Sequence, residues 1–247
     1  MANDGKTRKV QGILNFASNK DVGPTSCKLC GMAYHSHLKP DRDAHQKYHS
    51  GFVNGRKWGG VITPLERIRA RYNQKDTTIE IIRADAKLSS HISRVEKLLE
   101  FVNSELGAPP ANDAWKKHFQ GSIKPSAFVA VVQSTAVGMC ITEPIIDVGT
   151  QGKWMVCLTQ ELVPNQTNKA IALGISRIWV APKWRRYGIG RHLLRAVCNH
   201  LVHGVTLQPR EVAFSQPSTS GIQLAKSFNG VKHKSGEVLL PVYIENA

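Results

Sequence analysis

The spacing Cys27-x2-Cys30-x14-His45-x3-His49 constrains this 247-residue chain more than any other feature, because it commits four side chains to one point. His45 and His49 stand four positions apart, so they face one side of a helix. Two thiolates and two imidazoles are the donor set that zinc takes tetrahedrally in structural sites. The module they define, residues 25–52, has almost no apolar core. Metal binding must therefore supply its folding free energy. His35 and His37 are competing donors, but only the later pair has helix spacing.

A single finger with a long spacer is a poor reader of base sequence. DNA-reading fingers come in arrays, with a spacer of about twelve and roughly 3 bp read by each. Asp41 and Asp43, ahead of His45, would repel phosphates. The finger is expected to pack on its own protein or to touch a partner.

Composition bounds what surrounds it. Apolar residues make up 41 % and charged residues 21 %, which suits one globular core and a small satellite. Lys and Arg number 33 against 18 Asp and Glu, a formal charge of +15. Residues 1–75 hold 14 basic and 5 acidic residues, so the excess is concentrated at the front. Such asymmetry favours acidic partners: nucleic acid, an acidic protein face or a polyanionic cofactor. Cys140, Cys157 and Cys198 sit in apolar runs and read as small core residues. An odd cysteine count, no signal peptide and no long apolar span point to a reducing intracellular compartment, and argue against a membrane protein.

Residues 1–24 read as a flexible basic tail. Within it, Gln11 to Ser18 (QGILNFAS) resembles in part the box that binds the replication sliding clamp. Gln11 and Leu14 match, while Ala17 and Ser18 take the two aromatic positions. Residues 53–76 read as a connector rich in Gly and basic residues. From residue 77 the pattern becomes that of a folded domain. Strands are expected at 77–84, in two pieces around a turn at Gln133–Ser134, at 153–162, at 171–181, at 210–216 and at 237–244. Helices are expected at 88–107, ending on Gly107, at 188–202, and after a cap near Ser218. The order implies an α/β (α+β) domain over 77–247 with one mixed central sheet.

The chemical signal lies where the apolar strand Ile175–Val180 runs into a basic turn and a helix. Arg185-x-x-Gly188-x-Gly190 places glycines where a backbone must approach something closely. Amides at a helix start are unsatisfied, and with the macrodipole they form a site for a pyrophosphate. Arg185, Arg186 and Arg191 add positive charge there. A dinucleotide fingerprint is excluded, since the motif opens on a basic residue and no ribose-binding acid follows.

This pattern resembles the acetyl-CoA signature of the GNAT acetyltransferase superfamily. CGMAY, HQKYHSGF, ISRIWV, RRYGIG and AFSQPSTSG, in that order, narrow the resemblance to the sister-chromatid cohesion acetyltransferases over residues 25–247. That resemblance implies a nuclear enzyme with a C2H2-type zinc finger and a GNAT-like domain. It implies acetylation, from acetyl-CoA, of lysines on the SMC-type ATPase head of cohesin, close to chromatin and DNA. Ile178, Trp179 and Val180 would pair with the pantetheine arm. Arg185, Arg186, Tyr187, Gly188, Ile189, Gly190 and Arg191 would cradle the pyrophosphate, and Ser218, Thr219 and Ser220 would lie beside the cofactor.

The catalytic pair carried by the resemblance is Ser176 and Gln216. Vertebrate relatives carry Asp at the position of Gln216, and Gln cannot act as a base. Glu143 and Glu161, near strand ends, are the alternatives. Two rival readings complete the set: a chromatin-binding finger with an inactive GNAT-like half, and a GNAT enzyme acting on a small amine.

Overall fold

The computed structural model describes residues 23–60, 63–109, 113–116, 121 and 123–245. The clamp-like stretch Gln11–Ser18 lies outside the described residues. The chain divides into two compact units, one up to Ser50 and one from Gly51 onward.

The first unit holds a short hairpin, β1 (Thr25–Ser26) and β2 (Ala33–Tyr34), and most of helix α1 (Lys39–Asn54). The hairpin turns at Gly31, whose φ of 70° favours a residue without Cβ. Asp41 in the first turn of α1 accepts from the His35 backbone at 2.9 Å and lies 3.1 Å from His35 Nδ1.

The second unit is built on one sheet. Its strands are β3 (Arg56–Lys57), β4 (Glu66–Tyr72), β5 (Lys75–Arg83), β6 (Ser126–Val132), β7 (Thr135–Pro144), β8 (Gly152–Val156), β9 (Leu162–Thr167), β10 (Leu173–Val180), β11 (Val212–Phe214), β12 (Val231–Lys232) and β13 (Val238–Tyr243). The main path runs β4-β5-β6-β7-β10-β11-β13-β8-β9, with β3 on β7 and β12 on β13. The helices are α2 (Ser89–Leu106), α3 (Val148–Gln151), α4 (Ile189–His200) and α5 (Thr219–Asn229).

Local chemistry explains most boundaries. Gln133 and Ser134 both adopt positive φ and turn β6 into β7. Helix α2 ends on Gly107 at φ 62°, whose N–H bonds the Asn103 carbonyl. Helix α4 buries Ile189, Leu193, Leu194, Ala196, Val197 and Cys198. These pack with Phe128, Leu173 and Leu240 in the main core. Full burial of one such side chain is worth about 1.5–3 kcal/mol.

Two expectations are corrected. Residues 53–76 are more than a connector, because Glu66–Tyr72 forms an edge strand paired with β5 throughout. Ile68, Ala70 and Tyr72 are half-buried while Arg67, Arg69 and Arg71 are exposed, which is the alternation of a half-buried strand. Residues 153–162 are not one strand. The chain turns between β8 and β9, with Gln160 at φ 62°, and the two strands pair antiparallel.

The feature that positions the site is a parting of strands. β10 pairs in parallel with β11 only from Leu173 to Ile175, and the last link is the Ser215 N–H on the Ile175 carbonyl at 3.1 Å. β10 is paired with β7 along its whole length, alone from Arg177 onward, and that register slips at Ser176. That slip is a β-bulge, a device that re-aims side chains.

Candidate active site and metal centre

In the first unit, the donor atoms of Cys27, Cys30, His45 and His49 all lie within 4.8 Å of one another. Cys27 Sγ is 3.4 Å from His49 Nδ1. Tyr34 stacks on His45 with ring centroids 4.0 Å apart, which orients that imidazole. His45 Nε2 is buried without a hydrogen-bond partner. A buried polar atom of this kind needs a ligand, and a zinc ion held by these four residues supplies one. Cys27 is already disposed to be a thiolate. The Cys30 and Leu29 amides, and then the His45 side chain, bring its pKa down to about 6. His35 is taken by Asp41, and neither it nor His37 belongs to the cluster.

In the second unit, the strand–turn–helix forms as expected. Ile178 and Val180 pack on the main core. Trp179, between them, points the other way, is buried, and meets Phe101 edge-to-face with centroids 5.7 Å apart. Its indole N–H donates to Glu105. Glu105 also accepts from Arg185 Nη2 at 2.8 Å, and Arg185 Nε donates to the Val180 carbonyl at 2.9 Å. The Arg185 guanidinium thus braces the turn against β10 and α2. Burial pushes the Glu105 carboxyl up, and its bonds to Trp179 and Arg185 pull it back.

The turn itself is conformationally unusual. Arg186 adopts φ 71° and Gly188 φ 78°, and a side-chain-bearing residue in that region costs about 1–3 kcal/mol. Gly188 is the N-cap of α4. The first bond into the helix is from His192 N–H to the Gly188 carbonyl at 3.0 Å. The amides of Ile189, Gly190 and Arg191 precede that ladder, and with the macrodipole they suit an anion. Arg186 and Arg191 are exposed beside them. Gly190 has an ordinary helical φ, and a Cβ there would stand 3.0 Å from the end of Leu224, at Cδ2, on α5. Tyr187 packs on Tyr72, centroids 4.9 Å apart, and Trp184 stacks on Tyr72 at 4.3 Å. The overlooked strand β4 therefore helps hold the turn. Ser218 caps α5 by accepting from the Gly221 N–H at 3.3 Å, and Thr219 and Ser220 open that helix exposed.

Where β10 and β11 part lies a cavity of 620 Å³, lined among others by Ser176, Arg177, Ile178, Gln216, Ser218 and Tyr243. Ser176, the bulge residue, is 7 % exposed. Its carbonyl accepts from Arg177 Nη1 at 2.7 Å and from Ser215 Oγ at 3.2 Å. Gln216 is exposed at the rim. Of the two alternative acids, Glu161 is exposed in the β8–β9 turn, whereas Glu143 is half-buried and accepts from the Tyr243 hydroxyl at 3.2 Å. Sequence reasoning missed Tyr243, Glu105 and Tyr72, since each acts through a partner distant in the chain.

The chain was compared with known proteins. A family described as "ESCO1/2 acetyl-transferase" matches residues 169–239, and one described as "zinc-finger of acetyl-transferase ESCO" matches residues 11–51. The N-acetyltransferase ECO1 of Debaryomyces hansenii is 46 % identical over 259 residues, covering 96 % of this chain and 89 % of that protein. The N-acetyltransferase ECO1 of Saccharomyces cerevisiae is 34 % identical over 269 residues, covering 96 % and 93 %. The xEco2 acetyltransferase domain, solved bound to a K105-CoA conjugate, shares the fold. Its TM-score is 0.50 at 22 % identity, covering 73 % of this chain and 99 % of that one.

The mixed sheet that parts beside a basic glycine turn has the fold of an acetyltransferase domain. Together with the zinc-finger and acetyltransferase family matches, it places the chain in the class of GNAT-type N-acetyltransferases with an N-terminal C2H2-type finger. Within that class, this chain belongs to the sister-chromatid cohesion N-acetyltransferase family, the ECO1/ESCO enzymes.

Proposed function

We propose that this enzyme acetylates lysine side chains on the SMC-type ATPase head of cohesin, in the nucleus, during DNA replication. The observation that carries the catalytic part is the parting of β10 and β11 between an anion-binding turn and a cavity. Bound acetyl-CoA would supply an activated thioester carbonyl. The amides of Ile189, Gly190 and Arg191, with Arg186 and Arg191, would hold its pyrophosphate. The edge of β10 at Ile178–Val180 would align its pantetheine arm. The cavity side, with Ser176 and Gln216, would receive the acceptor. A free lysine titrates near 10.4, so the site must also remove a proton before attack. Gln216 has no proton-accepting group and could orient the amine through its amide.

The macromolecular substrate is favoured by the appended finger and by the basic front of the chain, which suits work beside DNA. Mass spectrometry of a purified cohesin head after incubation with enzyme and acetyl-CoA tests the assignment. Acetyl groups on specific head lysines support it. Acetylation of small amines but not of the head would replace it with a small-molecule reading. Imaging the tagged protein tests the nuclear placement, and exclusion from the nucleus would reject it.

A further inference from the structure

We propose that Glu143 accepts the proton of the acceptor lysine, acting through the hydroxyl of Tyr243. The inference rests on the acetyltransferase reading above and specifies its proton route. An acceptor is needed because position 216 holds Gln.

The geometry is specific. Glu143 lies on β7 and Tyr243 on β13, with β10 and β11 between them in the sheet. In the β10–β7 register Gly174 is directly opposite Glu143. A Cβ on Gly174 would stand 2.6, 2.7 and 3.0 Å from three atoms of the Tyr243 ring. The missing side chain opens the slot in which the ring lies, and through that slot the hydroxyl reaches Glu143 Oε2 at 3.2 Å. Tyr243 also lines the cavity. Tyr243 thus joins the cavity it lines to the carboxylate its hydroxyl touches.

The charged and polar groups around Glu143 come from the adjacent strand β10, from β13 and from the chain after β13. Ser176 and Tyr243 donate to the carboxylate, Arg177 attracts its charge and Glu245 repels it. Arg177 is itself paired with Glu245 at 3.1 Å. Burial dominates, with Glu245 next, and the carboxyl is raised above its ordinary range. A raised carboxyl is closer to the working pH, where proton transfer is most effective. Tyr243 is pushed up by burial and by Glu143, so it stays neutral. Transfer through it must then be concerted.

The lysine ammonium gives one proton to the Tyr243 oxygen as the Tyr243 hydroxyl proton passes to Glu143. The freed nitrogen pair forms the C–N bond at the thioester carbonyl, the C–S bond breaks, and the second ammonium proton ends on the departing sulfur. Glu143 then returns its proton to water.

The test uses the full chain with acetyl-CoA and a library of lysine-centred peptides, so that it does not depend on cohesin being the substrate. In Glu143→Gln, kcat should fall about 100-fold with unchanged acetyl-CoA affinity, and Glu143→Asp should recover at least about tenfold of that loss. The acid limb of the kcat profile should vanish in Glu143→Gln. A Glu143→Gln rate within about threefold of wild type overturns the route, as does a slow variant that keeps the wild-type acid limb. A second readout needs no turnover: a 13C-carboxyl NMR titration of Glu143. Its midpoint should lie above the usual carboxylate range and rise further in Tyr243→Phe, which removes a donor to the charged form. A midpoint unmoved by Tyr243→Phe overturns the link. Transfer to peptides but not to the cohesin head would reject the proposed substrate and leave the proton route standing.

Discussion

The two units of this chain reach a folded state by different means. The second carries a continuous apolar core in which Phe128, Leu173, Ile175 and Leu193 are almost fully buried. In the first, among the described residues, Cys30 alone is a buried hydrophobic. Its order is that of a metal site: four convergent donors, one of them a buried imidazole nitrogen without a partner. The difference teaches where each unit is vulnerable. One depends on an ion and on protonation, the other on packing and on a few backbone conformations.

The largest expected effect follows from the ion. Removing zinc with a chelator, or changing Cys27→Ala, should abolish the fold of residues 23–50 while the apolar unit keeps its own melting transition. Calorimetry with zinc quantitation checks this; a Cys27→Ala protein that retains one equivalent of zinc would break the comparison. Acid should act in the same direction. Burial raises the Cys30 thiol while the Cys27 thiolate is favoured above a pKa of about 6, so as pH falls protons compete with zinc first at Cys30 and then at Cys27.

Next in size is the cofactor turn. Gly188→Asp forces a side chain into φ 78° and sets a negative charge where an anion should sit. Acetyl-CoA affinity should drop at least about 100-fold, or ~2.7 kcal/mol. Titration calorimetry reads the loss, and unchanged affinity would remove the anion site from this turn.

Smaller is the bracing network. Trp179→Phe takes one donor from Glu105, whose side chain is only 9 % exposed. A cost of about 1–3 kcal/mol is expected for a buried group left short of a partner. The sign with pH is fixed by the raised carboxyl of Glu105. In the folded state it holds its proton to higher pH than when unfolded, so its contribution is most favourable in acid and is lost as pH rises through the folded value. The Trp179→Phe penalty should therefore grow toward neutral pH in denaturant titrations; a pH-independent penalty would mean that packing alone is lost.

The smallest effect separates the two glycines. Gly190→Ala meets only the far end of Leu224, and alanine favours a helix by about 1 kcal/mol over glycine, so its melting temperature should hardly move. Gly188→Ala should cost about 1–2 kcal/mol, because its φ is left-handed. Equal effects would show that the turn has no special conformation.

Much of this was legible in the chain, for identifiable reasons. The ligand spacing, the strand leading into Arg185-x-x-Gly188-x-Gly190, the turn at Gln133–Ser134 and the stop at Gly107 are local signals, readable from neighbours in sequence. What escaped was non-local or disguised. Strand β4 alternates correctly, but its outward positions are arginines, and the segment reads as a basic linker. The break in 153–162 depends on Gln160 adopting positive φ, which no glycine announces. That Glu105, 80 positions away, holds Arg185 in place cannot be read from neighbours in sequence. Gly174 shows its purpose only once β13 brings Tyr243 over it.

We propose that the turn at Gly188 and the cavity at Ser176 together make one lysine acetyltransferase site, with cohesin as its substrate. The most direct test is mass spectrometry of a purified cohesin ATPase head incubated with acetyl-CoA and this enzyme, beside the Gly188→Asp variant. The account predicts acetyl groups on a small set of head lysines with the intact enzyme and none with the variant. Equal acetylation by the variant, or none by an enzyme shown to bind acetyl-CoA, would contradict it.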